Sequence, residues 1–259
     1  MADFRVQVYG GPTALFEYGG LRFLTDPTFD PPGDYPRGGG RVLTKTAAPA
    51  ARPVEIDVVL LSHDEHPDNL DHAGRALLLD VPLVLTTPSA AARLTARGPS
   101  DGQDDVPAAQ GLADWESVEL DEVTVTGVPA IHGPGAREDV EPVTGQVVGF
   151  VLTCDDLPTV YVSGDNASLD AVRAIAERFG PVDTAILFAG APRIPALFGG
   201  APIVLDSAQA AEAATILGAR RVVPAHCDSW AHFTESRADV VAAFTKAGLA
   251  DRLDLSGAP

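Results

Sequence analysis

The N-terminal stretch alternates apolar and polar positions up to Tyr9, and the short apolar-rich segments 13–17 and 21–25 follow it, set off by glycine pairs at Gly10-Gly11 and Gly19-Gly20. That spacing predicts three short strands in an antiparallel meander, because glycine supplies the backbone freedom of tight turns. Residues 56–61 are apolar throughout, as in a strand buried on both faces, and residues 69–79 follow as a helix with Leu70, Ala73, Leu77 and Leu78 on one side. Residues 81–86 predict the next strand and residues 88–94 a helix with Pro88 in its first turn. Residues 118–120, 123–131, 146–154 and 159–162 predict a second set of antiparallel strands. Beyond Asp165 the pattern changes to helix and strand in alternation: 169–179, 184–188, 207–217, 221–223 and 235–247. Asp206 or Ser207 caps the helix at 207, and Glu212 lies early in it. Residues 26–53, rich in proline and glycine, and residues 98–114, acidic and glycine-rich, show no period and predict loops, the first of them a cover or rim.

Each half of the chain thus supplies strands followed by helices. Two mixed sheets packed face to face with helices outside, an α/β four-layer αββα sandwich, accommodates that order better than one doubly wound sheet. With 259 residues, 46% of them apolar, the chain can bury a large core, and residues 1–259 are expected to form a single domain. A net charge of -18 argues against nucleic acid or an anionic membrane as the main partner. No apolar run approaches the roughly 18 residues of a membrane span. The N-terminus also lacks the basic start and apolar core of a secretory signal, so a cytoplasmic location is expected. The two cysteines, Cys154 and Cys227, form no CxxC pair and indicate neither a disulfide framework nor a cysteine-based zinc finger.

The chemistry is concentrated in four stretches that each follow a β-branched or leucine run. They are Ser62-His63-Asp64-Glu65-His66-Pro67-Asp68-Asn69, Ala130-Ile131-His132-Gly133, Ser163-Gly164-Asp165-Asn166 and Pro224-Ala225-His226-Cys227. Strand ends along one edge of a sheet bring residues distant in sequence together, which suits a site of imidazole and carboxylate ligands. Such ligands accept zinc, manganese or iron alike, so ligand type does not name the metal; one or two divalent ions are expected, with zinc the leading expectation.

These residues, in this order, resemble the metallo-β-lactamase fold hydrolases. The opening Gly10-Gly11-Pro12 with the strand ending Thr25-Asp26-Pro27 is similar to the branch typified by L-ascorbate-6-phosphate lactonase. The family's hallmark is His-x-His-x-Asp-His, and this chain departs from it. Its two histidines stand one residue further apart, and Asn69 takes the place of the last. An alternative alignment places Asp71-His72-Ala73-Gly74 on the family's Asp-His-x-Gly.

The resemblance implies that His63, His66 and His132 hold the first metal, that Asp165 bridges, and that Asp68 and His226 complete the second, with His72 or Asn69 as substitutes. It implies a metal-dependent hydrolase using metal-bound hydroxide on a small lactone, ester, amide or phosphodiester, with Asp68 and His232 as catalytic residues. The alternative is a member with an altered metal site, acting in ligand binding or a redox or rearrangement step. Asp26 is expected to hydrogen-bond a ligand histidine. Phe29, Tyr35, Arg137, Arg193, Phe198 and Trp230 are expected to rim the site, either arginine pairing with an anionic substrate. Cys227 reads as packing.

Overall fold

The computed structural model describes residues 4–49, 51–96 and 106–258. Their strands are β1 (Val6–Gly10), β2 (Thr13–Tyr18), β3 (Leu21–Thr25), β4 (Gly33–Arg37), β5 (Arg41–Lys45), β6 (Val58–Leu60), β7 (Leu83–Thr86), β8 (Ala109–Gly111), β9 (Ser117–Leu120), β10 (Val123–Pro129), β11 (Val148–Cys154), β12 (Leu157–Val162), β13 (Thr184–Phe188) and β14 (Arg221–Ala225). The helices are α1 (His72–Leu77), α2 (Pro88–Thr95), α3 (Arg137–Thr144), α4 (Leu169–Phe179), α5 (Ser207–Ile216) and α6 (Arg237–Lys246).

One six-stranded sheet runs β1-β2-β3-β6-β7-β8, the other β14-β13-β12-β11-β10-β9, and β4 and β5 form a separate hairpin. Between the sheets lies one apolar core, in which Phe16, Phe23 and Leu60 of the first face Val125, Phe150 and Val160 of the second. Helices α4, α5 and α6 cover the outer face of the second sheet with Val172, Ile175, Ala213 and Phe244. Leu77 of α1 and Leu94 of α2 cover the outer face of the first. This is the expected four-layer α/β sandwich.

The meander pairs antiparallel as expected, whereas β3-β6-β7-β8 and β12-β13-β14 pair in parallel. Those parallel strands point their C-terminal ends at a single edge, and the loops leaving β3, β6, β12 and β14 emerge there.

Four local features differ from expectation. Residues 26–53 are not a plain loop, because the hairpin β4–β5 lies within them, closed through Gly38-Gly39-Gly40. Its outward positions are exposed, so burial imposed no alternation on the sequence. The helix expected from residue 69 begins only at His72, with Asp71 as its N-cap accepting from the Gly74 N–H. Asn69 and Leu70 remain in the loop, where both backbone N–H groups bond the His66 carbonyl. Helix α3 was not expected, since Pro142 interrupts it and only Val140 and Thr144 are buried. Of the predicted loop at residues 98–114, the part at 98–105 lies outside the described residues, and β8 occupies part of the remainder.

Asp206 caps α5 in a reciprocal capping box with Gln209. Asp206→Ala should therefore lower stability by about 1 kcal/mol, read from the urea midpoint with the denaturant slope unchanged.

Candidate metal centre

Five of the six histidines of this chain gather at the shared edge. His63 and His66 come from the loop after β6, His132 from the loop after β10, His226 directly from the end of β14, and His232 shortly after it. Asp165 follows β12 through Gly164, whose φ of +57° lies in the left-handed region. A Cβ at Gly164 would come within 2.8 Å of the Val148 carbonyl and 2.9 Å of Ser62, so glycine lets the two sheets meet beneath the site. His226 itself is held at φ 55°, an uncommon conformation for a non-glycine residue. Its N–H donates to the Gly11 carbonyl at 2.6 Å, so the Gly10-Gly11 turn of the meander fixes where this histidine points.

Two groups of potential ligand atoms result. His63, His66, His132 and Asp165 form one, and Asp68, Asp165 and His226 the other, with the atoms of each group within 4.8 Å of one another. Asp165 belongs to both. Its Oδ2 lies 3.5 Å from His132 Nε2, and its Oδ1 lies 3.6 Å from His226 Nε2.

The tautomers can be read from the partners. His132 Nδ1 meets the Ile203 carbonyl at 2.8 Å, and a carbonyl only accepts, so Nδ1 carries the proton and Nε2 presents its lone pair inward. Ser62 Oγ donates to Asp26 Oδ2 at 2.8 Å and accepts from His63 Nδ1 at 2.9 Å, leaving His63 Nε2 likewise unprotonated. His66 Nδ1 then lies 2.9 Å from His63 Nε2 and 3.2 Å from His132 Nε2.

Burial keeps the His63 and His66 rings neutral. Burial holds His63 well below its ordinary pKa, helped by His66 and His132. Burial, with the charges of His132, Arg37 and His232 adding and Asp68 opposing, brings His66 down to about 3. His63 Nε2, His66 Nδ1 and His132 Nε2 converge on one point, where a cation could be held by all three rings.

Buried atoms without a hydrogen-bond partner point the same way. Asp68 Oδ1, Asp165 Oδ2 and His226 Nε2 are among them, and unsatisfied buried donors and acceptors cost about 1–3 kcal/mol each. The residues present therefore fit one or two divalent ions.

Asp68 stays ionised. Burial would raise its pKa, but His232 and His226 together hold it well below the usual carboxylate range. His232 Nε2 reaches Asp68 Oδ2 at 2.9 Å and His226 Nε2 reaches it at 3.4 Å.

Several expectations need adjustment here. Asp26 touches no ligand histidine directly; it accepts from the Ser62 N–H at 2.6 Å and from Ser62 Oγ, and the serine passes the contact to His63. Burial pushes Asp26 up to about 8, with Asp165 adding and the Ser62 and Asn69 donors opposing. Asn69 acts as a brace: its Nδ2 donates to Asp165 Oδ1 at 3.1 Å and to Asp26 Oδ2 at 3.3 Å. His72 lies outside both groups. Its side chain is 85% exposed, pairs with Asp30 at 3.0 Å and stacks on Tyr35. Cys227 is buried, and burial with the nearby Asp228 pushes its thiol up to about 12, which suits packing.

The expected rim is also different. Tyr35 stacks between His72 and Trp230, and Phe29 packs on Tyr9. Phe198 packs toward Gly133. Arg137 pairs with Asp114 at 2.9 Å and Glu141 at 3.0 Å, and Arg193 approaches Asp206 at 3.7 Å. None of the six lines the cleft above His66, Asp68, His132 and His232; Arg37, Arg41 and Leu43 of the hairpin do so, opposite Val143, Ile194, Leu197 and Ile203. The signal overlooked was Arg37-Gly38-Gly39-Gly40-Arg41, two arginines flanking a glycine turn.

Comparison with known proteins places the fold in a family. Residues 21–227 match the family model for the beta-lactamase superfamily domain, so the chain belongs to that superfamily. It is 33% identical over 180 residues to a UPF0173 metal-dependent hydrolase of Methanosphaerula palustris, covering 69% of this chain and 71% of that one. A second relative so named, from Pyrococcus horikoshii, is 26% identical over 223 residues, covering 85% and 83%. Among solved structures, a possible metal-dependent hydrolase from Veillonella parvula superposes with a TM-score of 0.81 at 18% identity, over 97% of this chain and 96% of that chain. The isothiocyanate hydrolase from Delia radicum gut bacteria superposes with a TM-score of 0.78 at 23% identity, over 96% and 94%. The chain is a metal-dependent hydrolase with a histidine and aspartate metal site.

Proposed function

We propose that this hydrolase cleaves a small-molecule lactone, ester, amide or phosphodiester at a two-ion centre. His63, His66 and His132 hold one ion, Asp68 and His226 the other, and Asp165 is shared. The observation that carries the reading is the membership of Asp165 in both ligand groups. Zinc suits the histidine-rich position best, and manganese or iron fit the same donors.

When bound, such ions lower the pKa of a coordinated water towards about 7 and polarise a carbonyl or phosphoryl oxygen. The protein's own groups do the rest. Asp68, kept ionised by His232 and His226, would help hold the second ion, and with that position empty it would be the group placed to orient a water and take its proton. His232 holds Asp68 through Nε2 and lines the cleft, where it can supply a proton to the leaving group. Ser62, Asp26 and Asn69 keep His63 and Asp165 in place, since fixed ligand geometry is what the surrounding hydrogen bonds provide.

Elemental mass spectrometry on protein purified without added metal or a histidine tag tests this reading. About two equivalents are expected from the two donor sets, falling to one or fewer in His132→Ala, together with loss of turnover against a panel of lactones, esters and phosphodiesters. Near-UV and far-UV circular dichroism of His132→Ala should match the parent, because the ring packs in a polar cluster rather than in the apolar core. Full turnover in His132→Ala would overturn the ligand assignment.

A further inference from the structure

The hairpin β4–β5 is anchored at one end and open at the other. At its base Lys45 bonds Asp71 at 2.8 Å, Tyr35 Oη donates to Asp30 at 2.7 Å, and Tyr35 packs between His72 and Trp230. Lys45 also bridges in backbone register with Trp230. At its tip the turn Gly38-Gly39-Gly40 separates Arg37 from Arg41, and both line the cleft that contains His66, Asp68, His132 and His232.

The chain carries a net charge of -18, and Arg93, Arg137, Arg173, Arg193 and Arg237 each face a carboxylate within ion-pair distance. Among the described residues, Arg37 and Arg41 face none. Arg178 and Arg252 also face no carboxylate, but among the described residues only Arg37 and Arg41 combine that with a place on the cleft wall. Arg41 makes one bond, from Nε to the Gly38 carbonyl within its own turn, and so stays positioned without being neutralised. A pair of uncompensated guanidinium groups on the cleft wall offers positive charge to an entering substrate in an otherwise acidic protein. The opposite wall is apolar, made of Val143, Pro192, Ile194, Leu197 and Ile203.

We propose that Arg37 and Arg41 form an anion-binding arm, so that the substrate is a small molecule with an apolar body, a scissile bond over the metal ligands and a carboxylate or phosphate held by the hairpin. This deepens the hydrolase reading and rests on it for the scissile bond, but the arm itself can be tested without turnover. Planar guanidinium forks bind both oxyanions bidentately, so the shared chemistry is a terminal oxyanion.

Isothermal titration calorimetry on the metal-loaded protein with phenylacetate, benzylphosphonate and neutral benzyl alcohol decides it. Both anions are expected to bind at least about tenfold more tightly than the alcohol, in line with charge-assisted hydrogen bonds. Arg37→Ala/Arg41→Ala should erase that margin while metal content and melting temperature stay at parent values. The lysine pair Arg37→Lys/Arg41→Lys, which keeps the charge and loses the fork, should recover part of it. Tighter phenylacetate assigns a carboxylate, tighter benzylphosphonate a phosphate. Equal binding of the alcohol overturns the arm. So does a margin that survives the double alanine variant, because the anion would then sit on the metal alone. Absence of any hydrolysis, by contrast, would count against the hydrolase reading and leave the calorimetric result standing.

Discussion

Asp165→Ala is expected to release metal from both positions and to cut hydrolase turnover by about a thousandfold or more. The argument is geometric. Asp165 Oδ2 faces the histidine-rich group through His132, its Oδ1 faces the second group through His226, and among the described residues no other carboxylate belongs to both. Losing metal stabilisation of developing charge costs several kcal/mol of barrier, and each 1.4 kcal/mol is about tenfold in rate. The fold should survive. In the metal-free state the Asp165 charge raises the pKa of its neighbour Asp26, so its removal relieves repulsion inside the cluster.

A thermal shift separates the metal effect from the fold effect. Added zinc should raise the melting temperature of the parent, because a ligand that binds only the folded state stabilises by mass action. The same zinc should leave the melting temperature of Asp165→Ala unchanged. A variant that still responds to zinc and retains its equivalents would show that Asp165 is not the shared ligand.

Much of this was legible in the sequence, for a physical reason. Strands buried on both faces, such as β6 and β13, carry unbroken apolar runs, and the residues directly after them are set by the end of the strand. His63, Asp165 and His226 follow the apolar ends of β6, β12 and β14, which places them at one edge from the sequence alone. The amphipathic helix α4 likewise has the predicted bounds, its buried stripe being Ala171, Val172 and Ile175.

What escaped is what burial does not encode. The hairpin is a two-stranded ribbon with exposed faces, so Arg37 and Arg41 sit in a stretch with no period, whereas the expected arginines are held by carboxylates, Arg137 by Asp114 and by Glu141 of its own helix, Arg193 by Asp206. The role of Asn69 was half legible: its position in the metal loop marked a missing imidazole, but only the fold shows its amide bracing Asp165 and Asp26. Lys45 carried no signal at all.

That lysine carries the second large prediction. Lys45 and Asp71 form an ion pair at 2.8 Å with side chains only 1% and 0% exposed. Asp71 is also the N-cap of α1 and accepts from the Gly74 and Asp30 N–H groups at 2.8 and 2.7 Å, so its charge is satisfied from three sides. The Lys45 ammonium has no such reserve; beyond Asp71 it lies 5.7 Å from the centre of the Trp230 ring. Asp71→Ala therefore strands a buried cation and removes a helix cap together, and should destabilise by about 3–5 kcal/mol. Lys45→Met fills a similar volume with an apolar chain and leaves Asp71 two backbone donors, so its cost should be smaller.

The double variant Lys45→Met/Asp71→Ala should then be more stable than Asp71→Ala alone, since the unpaired charge is gone. Equilibrium urea unfolding of the four proteins measures the coupling. Additive costs in that cycle would show that the pair does not hold the hairpin to the metal loop. A positive coupling would mean that the arm bearing Arg37 and Arg41 is fastened, through Asp71, to the turn carrying His63, His66 and Asp68, so that loosening the pair should also weaken anion binding.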